Sequence, residues 1–538
     1  MSLLKNVRQA QLKIKSFRKF DRIALAFSSA PSSDAPAAAA LSKNFLQTLR
    51  SETFGQPTYV THPHLVNEGE LVIGQTVETF RERRSWLLSG IQKLDEESEK
   101  NFQHKKKSHM VIVPSATKKY MSDKIPYVFR QNSDFFYLTG CMEPDSVLVL
   151  TINEREDVKS ILFMRPKDKH AEMWDGARTG AENAPDFFGV DEAYTIPQFS
   201  KILKKYIESE KPLVWYDIPA SDQATITSDI QQVTGNTSEL KSPAVYIQSL
   251  RLYKSPSEQD LMRRTCQIAS RAINEVISES KPGLSEHQLF AAVDYKCRMK
   301  NANYMAYPPV VASGNNATTI HYISNNQLTK SGDLVLMDAG CEYGGYTSDI
   351  TRTWPIDGIF TPAQKILYDV VLQLQKELIG KSSKLATHYY THNPNVLIAT
   401  LLKPGGETLD QLFDTMCVKL GKYLQEVGLV PKDIVDDISY ARAGYKFCPH
   451  HVSHYLGMDV HDTPLIPRTF PVQPGMVCTV EPGIYIGHDR EDVPKEFRGI
   501  GIRIEDDVLI TSDHNVEVLT AECVKERREI ENLFLTKR

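Results

Sequence analysis

Residues 334–354, LVLMDAGCEYGGYTSDITRTW, constrain the fold more than any other stretch. Leu334, Val335, Leu336 and Met337 make an apolar run, Tyr343-Gly344-Gly345 supplies a turn, and 346–354 is rich in Thr and aromatics. That pattern predicts a β-hairpin. Folded about Tyr343-Gly344, it sets Asp338 opposite Asp349. Opposed residues share a face, with Cβ atoms about 4.5–5.5 Å apart. Asp338 also shares its face with Leu334 and Leu336, so both carboxylates are expected to point inward. Two buried, facing carboxylates are costly unless a cation lies between them. The rival is a solvent-exposed hairpin slipped by one residue. Such a slip turns one Asp to the other face, and it misplaces the apolar pattern as well.

Four more stretches carry candidate ligands. One is Ile320-His321-Tyr322, ahead of Asn325-Asn326. The next, CPHHVSHYLGMDVHD from Cys448, holds His450, His451, His454 and His461, four of the chain's fifteen histidines. A His-Glu-x-x-His zinc-protease motif would need Glu where His451 stands, so that reading fails; a neutral imidazole is still a common metal ligand. In MVCTVEPG a strand ends in Glu481, and Pro482 stops the pairing. In GIGIRIEDD, Ile500, Ile502 and Ile504 alternate with Gly501, Arg503 and Glu505; a half-buried strand with a wet polar face explains this equally well. Taken together, the candidates run Asp, Asp, His, Glu, Glu. Hard ligands of this kind suit two divalent ions such as Mn²⁺, with the imidazole also permitting Zn²⁺ or Co²⁺.

Composition narrows the surroundings. A length of 538 residues allows two or three domains. The formal net charge of −4 gives no support for a nucleic-acid partner. No run approaches the roughly 18 apolar residues of a membrane span, so no membrane insertion is expected. The eight cysteines form no C-x-x-C and fit a reducing compartment. Residues 1–33 carry seven Lys or Arg against Asp21 alone, interleaved with apolar residues and followed by serines. Basic, amphipathic, Ser-rich and acid-poor is the pattern of a mitochondrial targeting segment, here 1–45. Its rivals are a basic tail and a secretory signal, whose apolar core would be short at 23–27. A shorter form lacking the segment would be cytosolic.

An α/β domain is expected over 46–245. Residues 77–103 read as a helix with a solvated, charge-alternating face. HMVIVP (109–114) reads as a buried strand, and 146–152 and 160–165 as adjacent strands. The aromatic run 127–140 reads as core packing against a sheet, 172–176 as a loop bearing Trp174, and 222–243 as a polar connection. Ser255-Pro256-Ser257-Glu258 is a capping box with Pro at the first helical position. Leu261, Thr265, Ile268, Ala272 and Ile273 would line one face of the helix that follows. It opens a second domain over 246–538.

MDAGCEYGGYTSDITRTW, HHVSHYLGMDVHD, TVEPGIYI and GIRIEDD resemble the pita-bread metallopeptidases and, within them, aminopeptidase P. GQPTYVTHPHL near 55 and PYVFRQNSDFFYLTG near 126 extend the likeness over roughly 50–538. The resemblance implies a creatinase-like N-terminal α/β domain and a pita-bread catalytic domain. It implies two metal ions bridged by Asp349 and Glu505, with Asp338 completing one site and His454 and Glu481 the other. Glu481 would be the general base and acid. His461 would face the developing oxyanion, and His321 the peptide near the leaving proline nitrogen. His450 matches a further motif histidine, and Arg503 would partner a ligand carboxylate. The implied activity is hydrolysis of the bond between an N-terminal residue and a following proline, on peptides or on proteins with newly exposed N-termini. A homo-oligomer such as a dimer is also implied, with Trp174 a candidate contact to a neighbour's site. A prolidase-type dipeptidase and a catalytically silent pita-bread binding protein are the alternatives. Residues 380–402 depart from the family pattern, as a surface insertion or as retained non-coding sequence.

Overall fold

The computed structural model describes residues 48–98, 107–235, 240–380, 408–512 and 515–535. They divide into two units between Arg251 and Leu252. The expected targeting segment (1–45) and positions 381–402 of the expected insertion lie outside the described residues.

The first unit is α/β. Helix α1 (Val77–Ser98) and the short α2 (Ser133–Thr139) accompany a mixed sheet of β1 (His109–Pro114), β2 (Val147–Ile152), β3 (Val158–Met164), β4 (Glu192–Thr195) and β5 (Leu213–Trp215). The spatial order is β4-β3-β2-β1-β5. β2 and β3 are neighbours, as their two apolar runs predict; β2 runs antiparallel to both β1 and β3, and the outer strands join in parallel. HMVIVP and VLVLTI are apolar at nearly every position because a strand covered on both faces has no wet side. On one face Met110, Ile112, Val149 and Phe163 pack with Phe199, Leu203, Ile226 and Ile230.

Helix α1 has the expected solvated face, with Glu78, Arg81, Glu82 and Ser85 exposed. On its other side Phe80, Leu87, Leu88 and Ile91 are buried, and so are Arg83 and Arg84. These guanidiniums donate to the Tyr137 and Leu138 carbonyls (3.1 and 2.9 Å). The last carbonyls of α2 lack helical partners and carry its negative dipole end, so cations suit them. Three expectations for this unit need correction. First, Trp174 stands not in a loop but on a helix, α3 (Lys169–Asp175), capped by Asp168. Secondly, 224–234 of the expected connection form another helix. Thirdly, of the aromatic run only 133–139 is core; Tyr127 and Val128 are exposed.

In the second unit, two helices followed by a three-stranded antiparallel sheet occur twice along the chain. Helices α4 (Pro256–Glu279) and α5 (Glu286–Arg298) precede β6 (Val310–Ser313), β7 (Leu334–Ala339) and β8 (Ile350–Pro355), ordered β8-β7-β6. Helices α6 (Pro362–Ile379) and α7 (Leu409–Glu426) precede β9 (Val477–Val480), β12 (Asp506–Ile510) and β13 (Val516–Val518). Between β9 and β12, strands β10 (Gly483–Ile486) and β11 (Ile500–Arg503) pair antiparallel. The Ser255–Glu258 capping box starts α4, and its five expected core positions are all buried.

The hairpin forms with a different register. Asp338 pairs with Thr351, and Glu342 with Thr347, so the turn is Gly344-Gly345. Both of these have positive φ, 61° and 84°, as a two-residue turn matched to strand twist requires. The shift is two residues, not one. Asp338 and Asp349 therefore keep a common face but stand diagonally rather than directly opposed.

Candidate metal centre

Each candidate acid sits at or beside the end of a strand in the second unit. Asp338 is the penultimate residue of β7, and Asp349 directly precedes β8. Glu481 follows β9, and Glu505 lies between β11 and β12. The histidine motif reaches them by running along β9: Glu481 N–H donates to the Val452 carbonyl, Thr479 N–H to His454, and Leu456 N–H to Val477. This adds an antiparallel edge. Thr479 then links two candidates, its hydroxyl accepting from His454 N–H (3.2 Å) and donating to Glu481 Oε1 (3.5 Å).

The five side chains converge. Ligating atoms of Asp349, His454 and Glu505 all lie within 4.8 Å of one another. His454 Nε2 is 3.3 Å from Asp349 Oδ2 and 3.6 Å from Glu481 Oε1. Asp338 joins through Tyr307, whose hydroxyl lies 2.6 Å from Asp338 Oδ1 and 2.5 Å from Asp349 Oδ1. Asp349 and Glu505 are buried, and no wet polar face exists here: Arg503 and Glu505 are as buried as the isoleucines between them.

The donor set fits cations. His454 Nδ1–H donates to the Tyr455 carbonyl (3.1 Å), which turns Nε2 to two carboxylates, where a cation would take the place of its proton. That is the usual arrangement of a metal-bound imidazole. The electrostatics of the bare chain point the same way. Burial, with Asp349 and Asp338 adding repulsion, pushes Glu481 up to about 7 against the pull of His454 and Arg503. Burial and the other three carboxylates push Glu505 far above its ordinary range. Burial also raises Asp338 despite Arg503. Asp349 is the exception: although burial opposes ionisation, its bond to His454 holds it low. Burial disfavours charge on His454 too, yet Asp349 and Glu481 hold it up at about 9. Four carboxylates share one guanidinium and one imidazole, so positive charge is what the pocket lacks.

The arginine is spread over three partners. Arg503 Nη2 meets Asp338 Oδ2 at 2.6 Å, Nε meets Thr351 Oγ1 at 3.0 Å and Nη1 meets Tyr485 OH at 2.9 Å. The Thr351 hydroxyl donates a hydrogen bond to Glu505 Oε2 (2.6 Å). Tyr485 OH in turn lies 2.8 Å from His450 Nε2, while His450 Nδ1 faces the His451 carbonyl at 2.9 Å. The consistent assignment is a neutral His450 protonated at Nδ1. Burial, then the Arg503 charge, lowers its pKa to about 4.

His461 and His321 are exposed. The His461 ring stands edge-on to His454, centroids 4.6 Å apart, and burial and the His454 charge lower its pKa. A charge on His321 would disfavour charge on both His450 and His461, which puts it near the same cluster. Trp174 is in the first unit, 75% exposed and edge-on to His170. Sequence reasoning missed Tyr307, Tyr485 and Thr351. Tyr485 and Thr351 lie inside the quoted motifs, but Tyr307 lies in none. All eight cysteines are buried and free.

Two family models match: "Aminopeptidase P, N-terminal domain" over 80–215, and "Metallopeptidase family M24" over 260–388 and 398–512. The human protein named Xaa-Pro aminopeptidase 3 is 41% identical over 487 residues, 89% of this chain and 90% of that protein. Intermediate cleaving peptidase 55, mitochondrial, from Arabidopsis thaliana is 37% identical over 92% of this chain and 90% of its own length. Among solved structures, a variant of Escherichia coli aminopeptidase P superposes with a TM-score of 0.75 at 32% identity, covering 86% of this chain and 99% of that one. A zinc-substituted form of the same enzyme with product gives 0.73 at 33% identity, covering 86% of this chain and 99% of that one.

Proposed function

This chain belongs to the M24 metallopeptidases, in the branch that carries an aminopeptidase P N-terminal domain, and on that premise we propose that it removes the first residue from peptides whose second residue is proline. The observation that carries this reading is the convergence of Asp349, His454 and Glu505 within 4.8 Å, in a family whose members use a dinuclear metal site. Asp338, Asp349, His454, Glu481 and Glu505 would hold the two ions. Four carboxylates with a single imidazole favour Mn²⁺. When bound, such a pair supplies Lewis-acid activation of water and of the scissile carbonyl.

The chain's own groups do the rest. Glu481 accepts the proton of the attacking water and returns it to the departing proline nitrogen. His461 donates a hydrogen bond to the oxygen that gains charge. His321 holds the leaving end of the peptide. His450 lines the substrate side, tied through Tyr485 to Arg503, which fixes the Asp338 carboxylate. Mitochondrial intermediate cleaving peptidases among the relatives support a mitochondrial site of action, on chains with newly exposed N-termini. The working form would be a dimer in which exposed Trp174 reaches the partner subunit. Sedimentation of wild type and Trp174→Ala tests this, and a wild-type monomer would refute it.

The activity is tested by stripping the protein of metal and restoring Mn²⁺. An Xaa-Pro-Xaa tripeptide and an Xaa-Pro dipeptide are then offered, with Asp349→Ala as control. Release of the first residue from the tripeptide, lost in the variant, is the expected result. Cleavage of the dipeptide alone would make the protein a prolidase. Cleavage of neither, by folded and metal-loaded protein, would leave a binding protein.

A further inference from the structure

Glu286 carries a negative charge into the interior with no cation among its hydrogen-bond partners. It is the first residue of α5 and is 0% exposed. Oε1 accepts from Ser313 N–H (2.7 Å), Ser313 Oγ (2.8 Å) and Asn316 Nδ2 (3.0 Å). Oε2 accepts from Tyr322 OH (2.9 Å) and Gln327 N–H (2.9 Å). Five donors saturate a carboxylate, which has about four lone-pair sites, and the start of a helix favours its charge.

All five donors come from one segment, 313–327, and that segment carries His321. They grip its beginning, its middle and its end. The Glu286 N–H adds a bond back to the Gln327 carbonyl (2.9 Å). Nearby, Asn325 accepts from Val311 N–H (2.8 Å) and donates to the Pro309 carbonyl (2.9 Å). The loop cannot lift away without stranding a buried carboxylate, and an unpaired buried charge is far more costly than a broken surface bond. An exposed histidine thus stands on a segment that the interior holds still.

We propose that Glu286 is a positioning residue: its carboxylate fixes the loop 313–327 and thereby sets where His321 meets the peptide. The role of His321 rests on the function proposed above; the holding of the loop does not. Glu286→Gln is the decisive change. It keeps the shape, but whichever way the amide turns, its NH₂ group faces a backbone N–H, of Ser313 or of Gln327, that cannot reorient.

The test has two readouts on the full-length, Mn²⁺-loaded protein. Hydrogen exchange of peptides spanning 313–327 should speed up at least severalfold in Glu286→Gln. For a Xaa-Pro-Xaa substrate, kcat/KM should fall on the order of 10–100-fold, the scale of an ångström-size misplacement of a contacting group. The same substitution added to His321→Ala should cost little more. Multiplicative losses in the double variant, or unchanged exchange in Glu286→Gln, would overturn the proposal. If Glu286→Gln fails to fold, Tyr322→Phe removes one of the five donors and should give a smaller effect of the same kind in both readouts; no change in either would equally overturn it. If the wild type cleaves no Xaa-Pro bond, the function fails, and the exchange measurement still decides whether Glu286 holds the loop.

Discussion

Tyr307 has one hydroxyl proton and two carboxylates within reach. It can donate to only one at a time, so its oxygen lies against a second anion unless a cation draws that anion elsewhere. Tyr307→Phe removes the donor and leaves the volume nearly unchanged. Asp338 keeps Arg503, but the orientation of the pair relaxes. Loss of such an orienting partner typically weakens metal binding by about 10–100-fold. Titration calorimetry with Mn²⁺ checks this; unchanged affinity would reduce Tyr307 to a filler. Asp506, next to Glu505, does a different job. It is fully buried and bonded to Arg352 (2.8 Å), Lys525, Gln375 (2.8 Å) and Thr520 (2.7 Å). Burial opposes its ionisation, but Lys525 and Arg352 more than compensate and hold its pKa far below the usual range. A depressed folded-state pKa stabilises above the unfolded value, about 4, and that stabilisation drains away as pH falls below it. Asp506→Asn strands two cations and should cost about 3–5 kcal/mol at pH 7. Below pH ~4 the gap to wild type should narrow by about 1.4 kcal/mol per pH unit. Urea unfolding at pH 7 and pH 3.5 measures it, and a constant gap would contradict the assignment.

The hairpin between β7 and β8 turns local backbone rules into site geometry. Gly340 follows Ala339 at the end of β7, and a Cβ there would come within 1.6 Å of the Ser348 carbonyl oxygen. That carbonyl belongs to the peptide unit that leads into Asp349. Gly340→Ala must therefore push the two aspartates apart. The expected loss is about 1–3 kcal/mol of stability, as for other overpacking, together with weaker Mn²⁺ binding. A thermal midpoint and a metal titration read both, and normal binding would show that the backbone yields without moving Asp349. The same element shows what a sequence can reveal. The inward face of both aspartates was legible because an apolar run and a turn leave few registers that bury Leu334 and Leu336. The register itself was misread by two. Tyr343-Gly344-Gly345 offers two possible two-residue turns, and only Gly344-Gly345 places positive φ on residues without a Cβ. Helix α3 was missed because none of its residues is buried. It has no apolar period, and only the Asp168 cap and Gly176 mark its ends. Tyr307 and Glu286 were invisible for another reason. A lone tyrosine and an acid in a helix's first turn have bland readings, and their roles appear only once distant segments meet.

Across the whole molecule, the two units are stabilised differently. The first has an apolar sheet core and no candidate cluster among its described residues. The second places four acids and a histidine where its two sheets end. A ligand that binds only the folded state adds RT ln(1 + [L]/Kd), about 2.7 kcal/mol at a hundredfold excess over Kd. That energy should appear where the ligands are. Chelation of Mn²⁺-loaded protein should accelerate hydrogen exchange in peptides from 334–355 and 476–510, because on the proposed ligand set each ion would tie strand ends from both sheets. Peptides from 109–114 and 147–164 should exchange as before, since β1, β2 and β3 close on Phe199, Leu203 and Ile230 through apolar side chains. The stretches 334–355 and 476–510 should respond together, with one dependence on free Mn²⁺. If only 334–355 responded, the ions would be held by the hairpin alone, and the five-residue centre would be wrong. If the first unit lost protection equally, the metal would be governing global unfolding rather than the organisation of one site.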